Sequence, residues 1–127
     1  MSLSILAVDD SRTIRDMLRL ALTQAGFEAT TAEDGVDGLE TLKDMSEQPD
    51  AIITDINMPR MDGFGFIDAV RAQDTYQAIP ILVLSTESAD ELKSRARTAG
   101  ATGWIVKPFD PSKLIRALNM VAGKGAA

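Results

Sequence analysis

The chain has 127 residues, of which 45% are hydrophobic and 25% charged, with a formal net charge of −6; this predicts one domain, residues 1–127, with a buried core, and argues against nucleic acid, whose phosphates call for a basic face. There is no Cys and no His, which excludes disulfides, thiolate or imidazole chemistry and Ser-His-Asp hydrolysis, and leaves only hard, oxygen-seeking metals such as Mg²⁺, Mn²⁺ or Ca²⁺. No apolar stretch approaches the roughly 20 residues of a membrane span and no charged-then-apolar leader opens the chain, so a cytoplasmic protein is expected.

The first element is the apolar run Ile5-Leu6-Ala7-Val8, a buried strand, closed by Asp9-Asp10. Ile14, Met17, Leu18, Ala21, Leu22 and Ala25 recur at three-and-four spacing and predict a helix capped by Gly26. Glu28-Ala29-Thr30-Thr31-Ala32 alternates and is Thr-rich, as suits an edge strand. Val36, Leu39, Leu42 and Met45 form a second helical stripe, followed by the strand Ala51-Ile52-Ile53 that leads to Asp55. Phe66, Ile67 and Val70 mark a third helix, and Ile81-Leu82-Val83-Leu84 is a strand that leads to Ser85. Ser88 with Glu91 predicts a capping-box start for a fourth helix that ends at Gly100. Trp104-Ile105-Val106 then leads to Lys107, and Asp110-Pro111 opens a fifth helix whose buried face is Leu114, Ile115, Leu118 and Val121. Gly123 to Ala127 reads as a frayed tail.

The result is β-α repeated five times, an α/β doubly wound parallel sheet whose crossovers are long enough for right-handed connections. Ligands of such sheets bind outside the carboxyl ends of the strands. Asp9-Asp10, Asp55, Ser85 and Lys107 all emerge there. Two carboxylates ~5 Å apart repel by roughly 3 kcal/mol at an effective dielectric near 20, so three of them call for a cation. Mg²⁺ fits, because it takes octahedral oxygen ligands and keeps several waters. The plainer alternative is that Asp9 and Asp10 merely cap the first helix. A carboxylate beside Mg²⁺ is also a phosphoryl acceptor, and Lys107 and Ser85 supply an ammonium and a hydroxyl for phosphoryl oxygens.

Val8-Asp9-Asp10-Ser11, Thr54-Asp55-Ile56-Asn57-Met58-Pro59, Met61-Asp62-Gly63, Leu84-Ser85 and Lys107-Pro108-Phe109 together resemble a response-regulator receiver domain of the single-domain chemotaxis type. The resemblance spans nearly the whole chain and implies the flavodoxin-like strand order 2-1-3-4-5. It implies a two-component phosphoacceptor, not an enzyme with a separate substrate, with Asp55 as the phosphorylation site. Asp10 and Asp55 would bind Mg²⁺ directly, Asp9 through water and Asn57 through its carbonyl, while Ser85 and Lys107 hold the phosphoryl oxygens. A histidine kinase would be the phosphodonor, the helix 4–strand 5–helix 5 face the output, a flagellar motor switch protein the kind of target, and the protein a monomer. A cis bond is expected at Lys107-Pro108.

The family commonly has tyrosine where this chain has Trp104. The ring either joins Ser85 as a switch or simply packs against strand 5. Asn57 and Glu87 flank the path of an attacking water, to slow it or to orient it. Lys93, Arg95 and Arg97 either dock an acidic segment or form a solvated helix face. A flavin-dependent electron carrier shares the fold class, but Asp9-Asp10 would repel its phosphate. An aspartyl phosphatase wants Asp-x-Asp after strand 1, which Asp9-Asp10 does not supply. A receiver that has lost phosphorylation is opposed by the full acidic set.

Overall fold

Strand and helix alternate through the whole of residues 3–122, the part of the chain that the computed structural model describes. In chain order they are β1 (Ser4–Val8), α1 (Arg12–Gln24), β2 (Glu28–Ala32), α2 (Gly35–Asp44), β3 (Ala51–Thr54), α3 (Gly63–Arg71), β4 (Ile81–Ser85), α4 (Asp90–Ala99), β5 (Gly103–Val106) and α5 (Pro111–Ala122). A single 3₁₀ turn, Asp74–Tyr76, lies between α3 and β4. The tail expected at Gly123 to Ala127 falls outside the described residues.

All strand pairs are parallel and the order is β2-β1-β3-β4-β5. Alternate residues of each strand face opposite layers. Leu6, Val8, Ile52 and Val83 join Phe66, Ile67, Val70 and Leu42 on one side of the sheet. Ile5, Ala7, Ile53, Leu82 and Leu84 join Leu18, Leu22, Leu114 and Leu118 on the other. Both cores are apolar, so the central strands are held from two sides while their carboxyl ends stay open.

Local signals explain the element ends. Gly26 (φ 90°) and Gly100 (φ 120°) terminate α1 and α4 as expected. At α1 the Phe27 N–H donates to Leu22 O and the Gly26 N–H to Thr23 O, the paired bonds of a Schellman end. Asp110 accepts from the Ser112 N–H, with Pro111 as the first helical residue of α5.

Four expectations need correction. Met17 is 46% exposed and Ala25 is exposed: Ile14, Leu18, Ala21 and Leu22 already fill the face of α1 on the sheet, and Ala25 lies beyond its last turn. The capping box at Ser88 and Glu91 does not form. The helix starts at Asp90 after Ala89, whose side chain has no acceptor with which to cap it, and Ser88 lies one residue too early to serve. The run Trp104–Val106, apolar in sequence, leaves Val106 exposed, because β5 lies at the sheet edge where the expected order 2-1-3-4-5 puts it. Finally, Lys93, Arg95 and Arg97 do not form one patch. On a helix, positions two apart point away from each other; Arg95 lies over the Phe64 ring at 4.0 Å, while Lys93 and Arg97 line a separate cavity of about 80 Å³ with Trp104.

Candidate functional site

The sheet ladder runs one residue past the strand ends, and this is what brings the polar groups together. Beyond β1 the Asp9 N–H donates to Ala32 O; beyond β3 the Asp55 N–H donates to Val8 O; beyond β5 the Lys107 N–H donates to Ser85 O. With Val8 paired to Thr54 and Ser85 to Val106, Asp9 and Asp55 are neighbours and Lys107 follows on the β4 side.

Asp9, Asp10 and Asp55 each offer a carboxylate oxygen, and the three lie within 4.8 Å of one another. Asp9 is 1% exposed and Asp55 8%, whereas Asp10 is exposed. The plainer reading of Asp9 and Asp10 fails, because Ser11 is the cap of α1: its side chain accepts from the Ile14 N–H. One oxygen of Asp9 accepts from the Ser11 N–H at 2.9 Å, and its carbonyl accepts from Arg15 at 2.8 Å, so the residue is oriented from both ends.

Lys107 reaches across the sheet end to both buried acids, with Nζ 2.8 Å from Asp9 Oδ2 and 3.1 Å from Asp55 Oδ2. The other oxygen of Asp55 accepts from the Ile56 N–H at 2.7 Å. Burial pushes the Asp9 carboxyl above the usual carboxylate range, and the Lys107 ammonium only partly offsets it. On Lys107 burial acts downward, but the hydrogen bonds to Asp9 and Asp55 outweigh it and raise its pKa. The cluster therefore holds more negative charge than its one ammonium balances. Oxygens about 2.1 Å from a Mg²⁺ ion are ~3–4 Å apart, and a carboxylate that reaches the ion through water stands farther off, so the spacing of these three acids fits one such ion.

Ser85 is fully buried at the end of β4, and its hydroxyl accepts from the Glu87 N–H at 3.2 Å, which uses a lone pair and leaves the proton to donate elsewhere. Trp104, half-buried, donates its indole N–H to the Glu87 carbonyl at 2.9 Å. The hydroxyl and the indole thus grip the same residue from opposite sides. Asn57 is exposed in the loop after β3, two residues beyond Asp55, which places its carbonyl near the cluster by sequence alone. The Lys107-Pro108 bond is cis.

The roles of three further residues were not read from the sequence, although Gly63 stands in the Met61-Asp62-Gly63 motif. A Cβ on Gly63 would run into the Asp55 carbonyl oxygen, so only glycine lets α3 begin this close to the phosphoacceptor candidate. Asp34, 2% exposed, caps α2 by accepting from the Asp37 N–H; an Asp directly before the helical stripe was the signal for it. Arg60 donates to both oxygens of Asp34, at 2.8 and 3.1 Å, and holds its carboxyl below the usual range. Nothing in the local sequence announced that pairing.

The comparisons agree with this geometry. Residues 5–119 match the family model described as the response regulator receiver domain. The chain is 38% identical over 122 residues to chemotaxis protein CheY1 of Helicobacter pylori (strain J99), covering 95% of this chain and 98% of that protein. The crystal structure of chemotaxis response regulator CheY4 of Vibrio cholerae superposes with a TM-score of 0.88 at 45% identity, covering 95% and 99% of the two chains. The receiver domain of sensor histidine kinase PA1611 from Pseudomonas aeruginosa PAO1, with a magnesium ion coordinated in its active-site cleft, superposes with a TM-score of 0.87 at 25% identity, covering 97% and 99%. Matches of this extent, joined to the acidic cluster at the strand ends, support a phosphoacceptor response regulator of chemotaxis, and the chain belongs to the response regulator receiver family.

Proposed function

We propose that the protein accepts a phosphoryl group on Asp55 from the phosphohistidine of a histidine kinase, in a Mg²⁺-dependent reaction, and relays the change to a target. The observation that carries this reading is the meeting of three carboxylates and the Lys107 ammonium at one sheet edge. Asp9, Asp10 and Asp55, with the Asn57 carbonyl, form the donor set for the cation, Asp9 acting through water. A magnesium ion in the active-site cleft of the Pseudomonas relative supports a cation at this end of the sheet. When bound, the ion neutralises charge on the acids and on the incoming phosphoryl oxygens.

A carboxylate oxygen of Asp55 attacks phosphorus in line; the new O–P bond forms as the N–P bond to the donor imidazole breaks, and the imidazole leaves with its electron pair. Lys107, already 3.1 Å from Asp55 Oδ2, follows the charge onto the phosphoryl oxygens. Ser85 donates its proton to another of those oxygens. Because Ser85 also accepts from the Glu87 N–H, its movement pulls on the residue that Trp104 holds. Trp104 is thereby the second half of the switch, and the α4–β5–α5 face changes shape. Moving a 1:99 equilibrium to 99:1 takes about 5.5 kcal/mol, within reach of several charge-assisted hydrogen bonds. Water attacking past Asn57 and Glu87 later removes the phosphoryl group.

The target is a protein such as a flagellar motor switch component, met by a monomeric single receiver domain in the cytoplasm. Lys93 and Arg97, beside Trp104, offer it a basic rim, with Arg95 committed to Phe64. Among the described residues no helix is long and apolar enough to cross a membrane. The decisive experiment incubates the protein with Mg²⁺ and acetyl phosphate and weighs it by mass spectrometry. Wild type should gain one phosphoryl group and Asp55→Asn none; an equal gain in the variant overturns the assignment.

A further inference from the structure

The loop from Asn57 to Asp62 joins β3 to α3 and contains the carbonyl assigned above to the cation. Its turn is strained. Arg60 has φ 62°, a left-handed value that a residue with a long side chain rarely adopts, and the Met61 N–H donates to Pro59 O at 2.6 Å, closing a three-residue γ-turn around it. Such a conformation persists only where the surroundings impose it.

The surroundings that impose it belong to another loop. Arg60 donates from Nε and one terminal nitrogen to the two oxygens of Asp34, which sits between β2 and α2. One residue on, the Gly35 N–H donates to Met61 O at 3.1 Å, and a Cβ on Gly35 would fall within 2.8 Å of the Met61 side chain and carbonyl. Asp34 is buried and bonded to the Asp37 N–H at the start of α2, while the Arg60 side chain that reaches it is half-exposed. A planar guanidinium held through two bonds fixes direction as well as distance, which a single charge does not. The anchor is buried and the tethered turn is under strain.

We infer that Arg60 and Asp34 form an ionic clamp that positions the β3–α3 loop, and with it the Asn57 carbonyl, for the cation beside Asp55. Arg60 is a positioning residue and touches neither the cation nor the phosphoryl group. The inference rests on the Mg²⁺ reading of the site given above. It makes the β2–α2 loop, which carries none of the cation ligands, a determinant of Mg²⁺ affinity.

Asp34→Asn keeps a side chain able to cap α2 but loses the charge and the paired acceptors, and Arg60→Gln keeps the backbone penalty and a polar side chain but is shorter and loses the charge and the fork. Two readings are taken at a temperature where all variants are folded. In EDTA, exchange of the Met61 and Gly35 amide protons should speed up about tenfold in each variant, as loosened loops do. By calorimetric titration, Mg²⁺ affinity should fall about tenfold in each variant, the scale seen when a ligand's support is removed, and no further in the double variant. Arg60→Lys, which keeps one charged bond, should fall between. Unchanged exchange overturns the clamp, and faster exchange with wild-type Mg²⁺ affinity overturns its positioning role. Wild type that binds no Mg²⁺ is a different failure: it removes the cation reading itself, and this inference with it.

Discussion

Replacing Lys107 with methionine is the sharpest electrostatic perturbation the site allows, since it keeps most of the unbranched stem and removes the ammonium with its two hydrogen bonds. The ammonium lies 2.8 Å from one buried carboxylate and 3.1 Å from another. At an effective dielectric near 20 these contacts have gross Coulomb energies of about 6 and 5 kcal/mol, most of which is offset by desolvation of the three groups. Removing one partner of such a cluster leaves the other charges buried and unpaired, at a cost of about 3 kcal/mol. Urea unfolding of Lys107→Met in EDTA at pH 7 should therefore show a loss of about 3 kcal/mol against wild type. The deficit has a defined pH dependence. Burial already raises the Asp9 pKa, and without the ammonium it rises further. A group with a raised folded pKa gains relative stability as pH falls through that value, so the deficit should narrow toward pH 4. Mg²⁺ at about 100 times its Kd for the variant should stabilise it by roughly 2.7 kcal/mol, as binding to the folded state alone requires. Equal stability of variant and wild type in EDTA at pH 7 would refute the claim that Lys107 is the counter-ion of this cluster.

Other consequences are as direct. Gly63→Ala should destabilise the fold by about 2 kcal/mol in urea unfolding, because the new methyl meets the Asp55 carbonyl and the Ile56 backbone, neither of which can yield without moving the site. Trp104 is the sole tryptophan, so its fluorescence reports on Glu87: emission should change when acetyl phosphate and Mg²⁺ are added, stay constant in Asp55→Asn, and respond weakly in Ser85→Ala, which loses the hydroxyl on the other side of Glu87. The Asp34 carboxyl, held down by Arg60, contributes stability that is present above the ordinary carboxylate pKa and lost as pH falls through its lowered folded value. The stability gap between wild type and Asp34→Asn should therefore be full at neutral pH and close progressively below about pH 4.

What the sequence disclosed follows from the range of each interaction. Burial on both faces writes an apolar run into a strand, so Ile5–Val8 and Ile81–Leu84 could be read directly, and the polar residue that ends each run marks the open edge of the sheet. The same rule overstates burial at Val106, because β5 lies at the sheet edge, a position that the family resemblance gave and the local pattern did not. Ser88 and Glu91 had the spacing of a capping box, but α4 begins at Asp90 with Ala89 in the cap position, one residue too late for Ser88. Arg95 looked like one of three surface cations, and only the packing of α3 on α4 turns it over the Phe64 ring. The Asp34–Arg60 pair joins positions 26 residues apart through a strained turn, which no periodicity encodes. The convergence of Asp9, Asp10 and Asp55 could be expected, because one topology places the ends of adjacent parallel strands together.

Trapping the acyl phosphate at its own residue tests the central claim most directly. The protein is treated with acetyl phosphate and Mg²⁺, reduced with borohydride, digested and sequenced by mass spectrometry. Reduction converts an aspartyl phosphate to homoserine, and the account predicts homoserine at position 55 alone, dependent on Mg²⁺ and blocked by EDTA. Homoserine at position 9 or 10, or the same yield at position 55 without the ion, would contradict it.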